Sequence, residues 1–177
     1  DSRKVKRGKP LALVLSPTRE LAMQTNATIS PLARKVGLSS VLIAGGMPFG
    51  KQLQALEHGV PIVVATPGRL IDLMHRGAVD LSDIEITVLD EADLMSDMGF
   101  MPAVKEILDA TGRGGQRLLF SATLDKDVDA LVKKYLRDPI EHSVEPGGIA
   151  HGEMDHRVCF VKQGVRDEML AKIGSRQ

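Results

Sequence analysis

The chain has 177 residues, 43% of them apolar, which is enough for the core of one α/β domain and little more. Its 23 lysines and arginines balance 23 aspartates and glutamates, so the zero net charge argues against a uniformly basic nucleic-acid binder, though not against a local basic face. No apolar run reaches membrane-spanning length and no secretory signal is visible, so we expect no membrane association. The single cysteine, Cys159, excludes an intramolecular disulfide and fits a reducing, cytoplasmic compartment.

Five basic residues stand within the first nine positions: Arg3, Lys4, Lys6, Arg7 and Lys9. A solvated loop is the commoner structure for such a charge run. An extra contact with nucleic acid is the alternative, and a steep loss of affinity with salt would be its signature.

Strands and helices alternate along the chain. Strands are predicted at 11–15, 41–44, 62–65, 84–89 and 117–120, and helices at 20–36, 50–58, 68–76, 101–110 and 126–136. Such alternation predicts an α/β fold with a parallel sheet and helices on both faces.

Two strand-to-helix junctions repeat one pattern, Ser16 to Arg19 and Thr66 to Arg69. Each has a hydroxyl residue, a proline, a variable residue and an arginine before a helix. The hydroxyl is predicted to cap the helix and the proline to take its first position. Free amides at the helix start, with an arginine beside them, favour an anion. Either junction alone is better explained as a well-capped helix of an ordinary α/β protein, but two of them beside an NTPase-like strand favour the anion sites.

Residues 45–51 fit the Gly-x4-Gly-Lys pattern of a phosphate loop, but we reject them as the ATP site. Gln52 stands where a serine or threonine hydroxyl would reach Mg²⁺. Pro48 also removes one amide donor from the loop.

Three carboxylates, from Asp90, Glu91 and Asp93, follow the apolar run 84–89, which is predicted to be a strand buried on both faces. Ligands of open α/β sheets bind at the carboxyl ends of the strands. Clustered anions there repel one another unless a hard cation such as Mg²⁺ binds them with phosphate oxygens. The segment therefore suggests a nucleotide site, and a chance acidic loop after a strand is the alternative when the segment is taken alone.

Together these segments closely resemble the DEAD-box family of ATP-dependent RNA helicases over roughly residues 10 to 145. The matching motifs, in the family's order, are Ser16 to Ala22, Gly45 and Gly46, Thr66 to Arg69, Asp90 to Asp93, and Ser121 to Thr123. The resemblance implies a RecA-like domain that binds ATP with Mg²⁺ and hydrolyses it to remodel RNA. Met98 to Phe100 also follows the family pattern near RNA, although Phe100 alone is better explained as a core residue.

By this resemblance, Asp90, with Glu91 beside it, holds Mg²⁺ through the ion's water ligands. Glu91 orients or deprotonates the attacking water, and Asp93 hydrogen-bonds Ser121 and Thr123 to couple hydrolysis to the RNA face. The residues that grip RNA phosphates are Pro17, Thr18, Arg19, Gly45, Gly46, Thr66, Pro67, Gly68 and Arg69. Aromatic residues make up only 3% of the chain, so we expect backbone contacts with little sequence preference.

The resemblance also implies a division of the chain. Residues 1–145 correspond to the first RecA-like domain, 146–154 to a Pro/Gly-containing linker, and 155–177 to the start of a second RecA-like domain. The family's phosphate loop should precede Leu11, so we expect the natural protein to continue upstream. Without that strand, two strand edges are expected to be exposed inside the sheet.

Two other functions remain open at this point. One is a non-catalytic RNA clamp that uses both junctions without turnover, and the other is a DNA-directed helicase of the same superfamily. As it stands, the chain is expected to hydrolyse ATP poorly, because the family's arginine-bearing motifs lie in the second domain.

Overall fold

The computed structural model describes residues 5–112 and 114–144. The chain divides into two compact units, 1–139 and 140–177, and all the helices and strands given below lie in the first. The predicted linker at 146–154 and the predicted second domain at 155–177 fall outside the described residues, so this division stays a prediction.

Five parallel strands form one sheet in the order β2-β3-β1-β4-β5. The strands are β1 (Ala12–Leu15), β2 (Ser40–Ile43), β3 (Ile62–Ala65), β4 (Ile86–Leu89) and β5 (Gln116–Leu119). Every predicted strand is present; β3 has its predicted ends, and the ends of the other four are shifted by no more than two residues. The largest shift is at β4, because the Ile84 amide already donates to the carbonyl of Leu81 in the preceding turn.

Six helices accompany these strands: α1 (Arg19–Lys35), α2 (Phe49–Glu57), α3 (Pro67–His75), α4 (Ala92–Asp97), α5 (Met101–Ala110) and α6 (Lys126–Tyr135). Five of them were predicted. The sixth, α4, was missed because its six residues are too few to show a helical hydrophobic period.

The two faces of the sheet carry separate apolar clusters. Leu13 and Leu15 of β1 point into the larger cluster, to which α2 through α6 contribute. Val14 points into a smaller cluster with Ala22 of α1. This alternation follows from the strand's two-residue period. It confirms the α/β fold with helices on both faces, although α1 covers its face alone among the described helices.

The prediction that β4 is buried on both faces is wrong for one face. Thr87 and Leu89 are 2% and 3% exposed on the side of the larger cluster. On the other side Ile86 is 42% exposed and Val88 is only half-buried. The reason is that α1 packs over β2 and β3 and leaves β4 partly open.

The described strands pair without interruption, so the predicted exposed edges inside the sheet are not seen. β4 pairs directly with β1 on one side and β5 on the other. Within the described sheet, only β2 and β5 are outer strands.

The basic segment near the start of the chain is docked on the domain. Lys9 Nζ lies 2.9 Å from Asp80 Oδ2, and Lys6 Nζ lies 3.6 Å from Asp83 Oδ2. Hydrogen bonds from Lys9 and from the Ser82 amide lower the pKa of Asp80 to about 2. Two of the five basic side chains are thus paired with acids. This fits neither a freely solvated loop nor a segment whose charges are all available to nucleic acid. Arg3 and Lys4 lie outside the described residues.

None of the helices in the described part is long and apolar enough to cross a bilayer.

Candidate functional site

The motif residues converge because every strand of the sheet runs in the same direction. Ser16, Ala44, Thr66, Asp90 and Phe120 each follow directly after one of the five strands. Parallel strands end at one edge, so the five loops lie side by side there. Residues more than 100 positions apart in the chain are thereby brought to one surface.

A groove of about 580 Å³ lies at this edge. Its walls are formed by both predicted phosphate junctions, the loop after β2, and the segment between α4 and α5. The lining residues are Pro17, Thr18, Arg19, Glu20, Gly45, Thr66, Gly68, Arg69, Met98 and Phe100. Of the predicted RNA-binding residues, Gly46 and Pro67 do not line it. Pro67 is buried at the start of α3, and Gly46 lies against Arg19.

The two junctions are less alike than their sequences predict. At the first, the cap is Thr18 and not Ser16: the Thr18 hydroxyl accepts from the Leu21 amide at 3.2 Å. Ser16 is fully buried, and its Oγ has no hydrogen-bond partner in the described part of the chain. Pro17 therefore precedes α1 rather than taking its first position.

At the second junction, Pro67 does occupy the first turn of α3 and Thr66 stands at the cap. The Thr66 hydroxyl, however, makes no capping hydrogen bond. The position that corresponds to Thr18 is Gly68, which has no hydroxyl to offer. This difference explains why α3 begins two positions earlier in its motif than α1.

Arg19 is held close to the double glycine. Its Nε and Nη2 donate to Glu20 Oε1 at 3.1 and 2.9 Å. Gly46 has φ +72°, and a Cβ there would lie 2.9 Å from Arg19 Nη1. A side chain at position 46 would thus be strained and would push the guanidinium away. The pKa of Glu20 is lowered by the hydrogen bond from its own amide and by the bond from Arg19.

Arg69 is held differently, by uncharged groups from the loop after β2. Its Nη1 lies 3.5 Å from the carbonyl oxygen of Met47 and 3.4 Å from Gln52 Oε1. Its Cζ is 5.5 Å from the centre of the Phe49 ring. Gln52, which stands where a phosphate loop would have its hydroxyl, is thus engaged within the protein.

Sequence reasoning missed Glu20 as a groove residue, whereas Met98 was expected near RNA and does line the groove. Met98 is 46% exposed at the end of α4, which itself was not predicted. Phe100 is half-buried, packs against the core and also lines the groove, so the core and groove interpretations both hold. The proximity of Glu20 to Arg19 in sequence was the one available signal.

Asp90 and Glu91 lie at the end of β4. The Asp90 amide donates to the carbonyl of Leu15 at 2.9 Å, which fixes the backbone here to the neighbouring strand. Glu91 has φ 55° and ψ 53°, a left-handed conformation that is unfavourable for a residue with a Cβ. Across residues 5–112 and 114–144, neither carboxylate has a hydrogen-bond or ion-pair partner.

Asp93 faces the loop after β5. Its Oδ2 accepts from the Thr123 amide at 3.1 Å and from the Thr123 hydroxyl at 3.3 Å, and its Oδ1 accepts from the Leu94 amide. The Asp93 amide donates to Ser121 Oγ at 3.2 Å. Burial raises the pKa of Asp93, but the hydrogen bonds that its carboxylate accepts from Leu94 and Thr123 outweigh it, so the pKa lies below its usual value.

The chemistry of the first two carboxylates fits a magnesium ion. Mg²⁺ prefers oxygen ligands and usually keeps several waters, so one or two carboxylates are enough to hold it. Within the described ranges no group of three or more His, Cys, Asp or Glu side chains is placed to bind a metal directly. Asp90 and Glu91 therefore suit an ion held through water, and Asp93 is occupied by Thr123.

The family model of the DEAD/DEAH box helicases matches residues 2–131. The chain belongs to this family. It is 45% identical over 166 residues to the ATP-dependent RNA helicase RhlB of Pseudomonas aeruginosa (strain UCBPP-PA14), and the match covers 92% of this chain and 42% of the relative. It is 44% identical over 135 residues to the ATP-dependent RNA helicase DBP2 of Debaryomyces hansenii, and that match covers 76% of this chain and 25% of the relative.

Solved structures of the same family confirm the RecA-like fold. A hypothetical ATP-dependent RNA helicase from Sulfolobus tokodaii matches 73% of this chain and 39% of its own length, with a TM-score of 0.68 and 39% identity. A DEAD box protein from Methanococcus jannaschii matches 76% of this chain and 37% of its own length, with a TM-score of 0.67 and 38% identity. The chain thus spans less than half the length of these relatives.

Proposed function

We propose that this chain is part of an ATP-dependent RNA helicase and supplies one wall of its ATP site together with part of its RNA surface. The observation that carries the proposal is the common edge of the sheet, where Asp90 and Glu91, which have no partner among the described residues, lie on a loop next to the arginine-bearing groove. DEAD/DEAH box relatives named ATP-dependent RNA helicases support the same function.

In this proposal Asp90 holds magnesium through the ion's waters and Glu91 orients or deprotonates a water molecule. Bound magnesium supplies positive charge that neutralises the phosphate oxygens of ATP. The left-handed backbone at Glu91 turns its exposed side chain out of the strand, which suits a group that must reach a ligand. Among the described residues both carboxylates lack partners, so neither needs to break a bond to serve.

RNA is proposed to bind in the groove through its phosphates. The Thr18 cap leaves amides at the start of α1 for an anion, and Arg19 and Arg69 add positive charge on either side. The groove contains one aromatic side chain, Phe100, and that ring is half-buried. We therefore expect little discrimination between RNA sequences.

The deciding experiment is RNA-stimulated ATP hydrolysis by the full-length protein and its Glu91→Gln variant. Loss of a general base lowers the rate by about 100-fold or more, whereas ATP binding should be retained. Normal hydrolysis by the variant would remove Glu91 from the proposed role.

The same assay separates the two other functions. A non-catalytic clamp would bind RNA without any RNA-stimulated hydrolysis in the unaltered protein. A DNA-directed enzyme would be stimulated at least as strongly by a DNA duplex of matched sequence.

A cytoplasmic location remains our proposal from the single cysteine.

A further inference from the structure

Arg69 is restrained by uncharged groups. Its contacts are the carbonyl oxygen of Met47, the amide oxygen of Gln52 and the ring of Phe49, and all three are uncharged. In the described part of the chain no carboxylate lies within ion-pair distance of it. Arg19 differs, because the carboxylate of the next residue already balances its charge. Of the two groove arginines, Arg69 thus offers the less compensated charge to an anion.

Gln52 has a buried side chain whose amide nitrogen and amide oxygen both make hydrogen bonds. It is 3% exposed, and its Nε2 donates to the carbonyl of Ala44 at 3.1 Å. With the nitrogen fixed in this way, Oε1 is left facing Arg69. A buried amide is costly unless both ends are satisfied, so the pair of contacts fixes one orientation.

Phe49 lies at the first position of α2, with Arg69 Cζ at 5.5 Å and Arg76 Cζ at 5.0 Å from its ring centre. Arg76 Nε donates to Asp72 Oδ1 at 2.7 Å, so Arg76 is balanced by an acid. The ring face attracts a guanidinium without cancelling its charge. Phe49 therefore restrains Arg69 in the same manner as Gln52.

We propose that Phe49 and Gln52 are positioning residues that hold the Arg69 guanidinium in the groove for an RNA phosphate. The inference rests on the proposed function, because it takes the groove to be an RNA site. Phe49 and Gln52 of α2 do not themselves line the groove. The proposal adds that they contribute to RNA affinity only through Arg69.

The test is a double-mutant cycle in the full-length protein, with a labelled oligouridylate as the probe. Gln52→Met and Phe49→Leu are each measured with Arg69 present and in an Arg69→Met background. With Arg69 present, each change should weaken binding about three- to ten-fold. In the Arg69→Met background, each should have less than about a two-fold effect, because the group that they position is gone.

Gln54→Met is the matched control, since Gln54 is exposed on the same helix and should leave affinity unchanged. Salt dependence gives a readout that a merely structural role would not move. Loss of one phosphate contact lowers the slope of log affinity against log salt by about 0.7 for a single strand. Arg69→Met should show this drop, and Gln52→Met should show part of it.

Each outcome has a distinct meaning. If Gln52→Met and Phe49→Leu weaken binding equally in both backgrounds, or not at all, the positioning role is overturned. If Arg69→Met itself binds oligouridylate as tightly as the unaltered protein, the RNA groove of the proposed function fails instead. Thermal unfolding of every variant identifies any that is misfolded, and Phe49→Leu preserves the test if Gln52→Met is one of these.

Discussion

Asp93 and Glu91, at the edge of the sheet where we propose that ATP binds, differ in what they contribute to the stability of the fold. Asp93 is integrated, with three hydrogen bonds to its carboxylate from Leu94 and Thr123. Glu91 is exposed, lacks partners in the described structure and adopts a conformation that costs energy. Asp93 thus contributes to folding, whereas Glu91 is costly to the fold and is explained by the proposed chemistry.

Replacing Glu91 by glycine should stabilise the protein while abolishing hydrolysis. Glycine adopts φ 55° without the Cβ penalty, so the free energy of unfolding should rise by about 1 kcal/mol. Denaturant titration of full-length variants measures this, with Glu91→Gln as the control that keeps the strain and should stay within about 0.5 kcal/mol. An equally large gain in Glu91→Gln would mean that the backbone is not the cause.

Removing the hydroxyls that meet Asp93 should uncouple hydrolysis from unwinding. The variant carries Ser121→Ala with Thr123→Val, and the amide of residue 123 still donates to Asp93. We expect RNA-stimulated ATP hydrolysis to persist while duplex unwinding is lost, because the loop after β5 is no longer held as before. Parallel loss of both activities would assign these hydroxyls to the ATP site itself.

At the scale of elements, local pattern sufficed where the helical period of the apolar residues is clear. The helix at 101–110 was predicted with its observed ends, since its buried residues recur at helical spacing. The cap of α1 was wrongly predicted to be Ser16. Whether the hydroxyl at position 16 or at position 18 caps this helix depends on the path of the backbone after β1. Short α4 gave no periodic signal. The exposure of Ile86 depended on where α1 packs, which no local pattern contains.

The difference between the two junctions predicts unequal effects of removing their hydroxyls. Thr18→Val removes a cap and should cost about 1 kcal/mol of unfolding free energy. Thr66→Val keeps the same shape and loses no capping bond, so it should cost less than about 0.5 kcal/mol. Chemical denaturation of both variants checks this, and equal costs would contradict the assignment of Thr18 as the cap.

At the scale of the whole molecule, the sequence predicted the parallel α/β architecture but not how unevenly the sheet is covered. Charge counting was equally incomplete. Zero net charge concealed a groove with two arginines, and it also concealed the pairing of Lys6 and Lys9 with Asp83 and Asp80. Which charges remain available is decided by contacts between distant segments, which composition does not record.

The Asp80 pair should make global stability depend on pH at the acid end. The folded pKa of Asp80, about 2, is below its ordinary 3.8, so its contribution is complete above about pH 4 and is lost as the pH falls toward 2. Asp80→Asn should therefore lower stability at pH 7 and flatten the decline below pH 4. Because the side chain is 54% exposed, we expect an effect of about 0.5 kcal/mol. Unfolding measured from pH 2 to 7 tests this, and identical profiles would show that the pair contributes nothing.

The common direction of the strands leaves the opposite edge of the sheet without a role in this chemistry. The turn between α1 and β2 lies there, with Val36 72% and Leu38 44% exposed and open space around Gly37. Extra residues inserted in that turn would project away from the groove. A fluorescent reporter placed there would allow nucleic-acid binding to be followed without obstructing it.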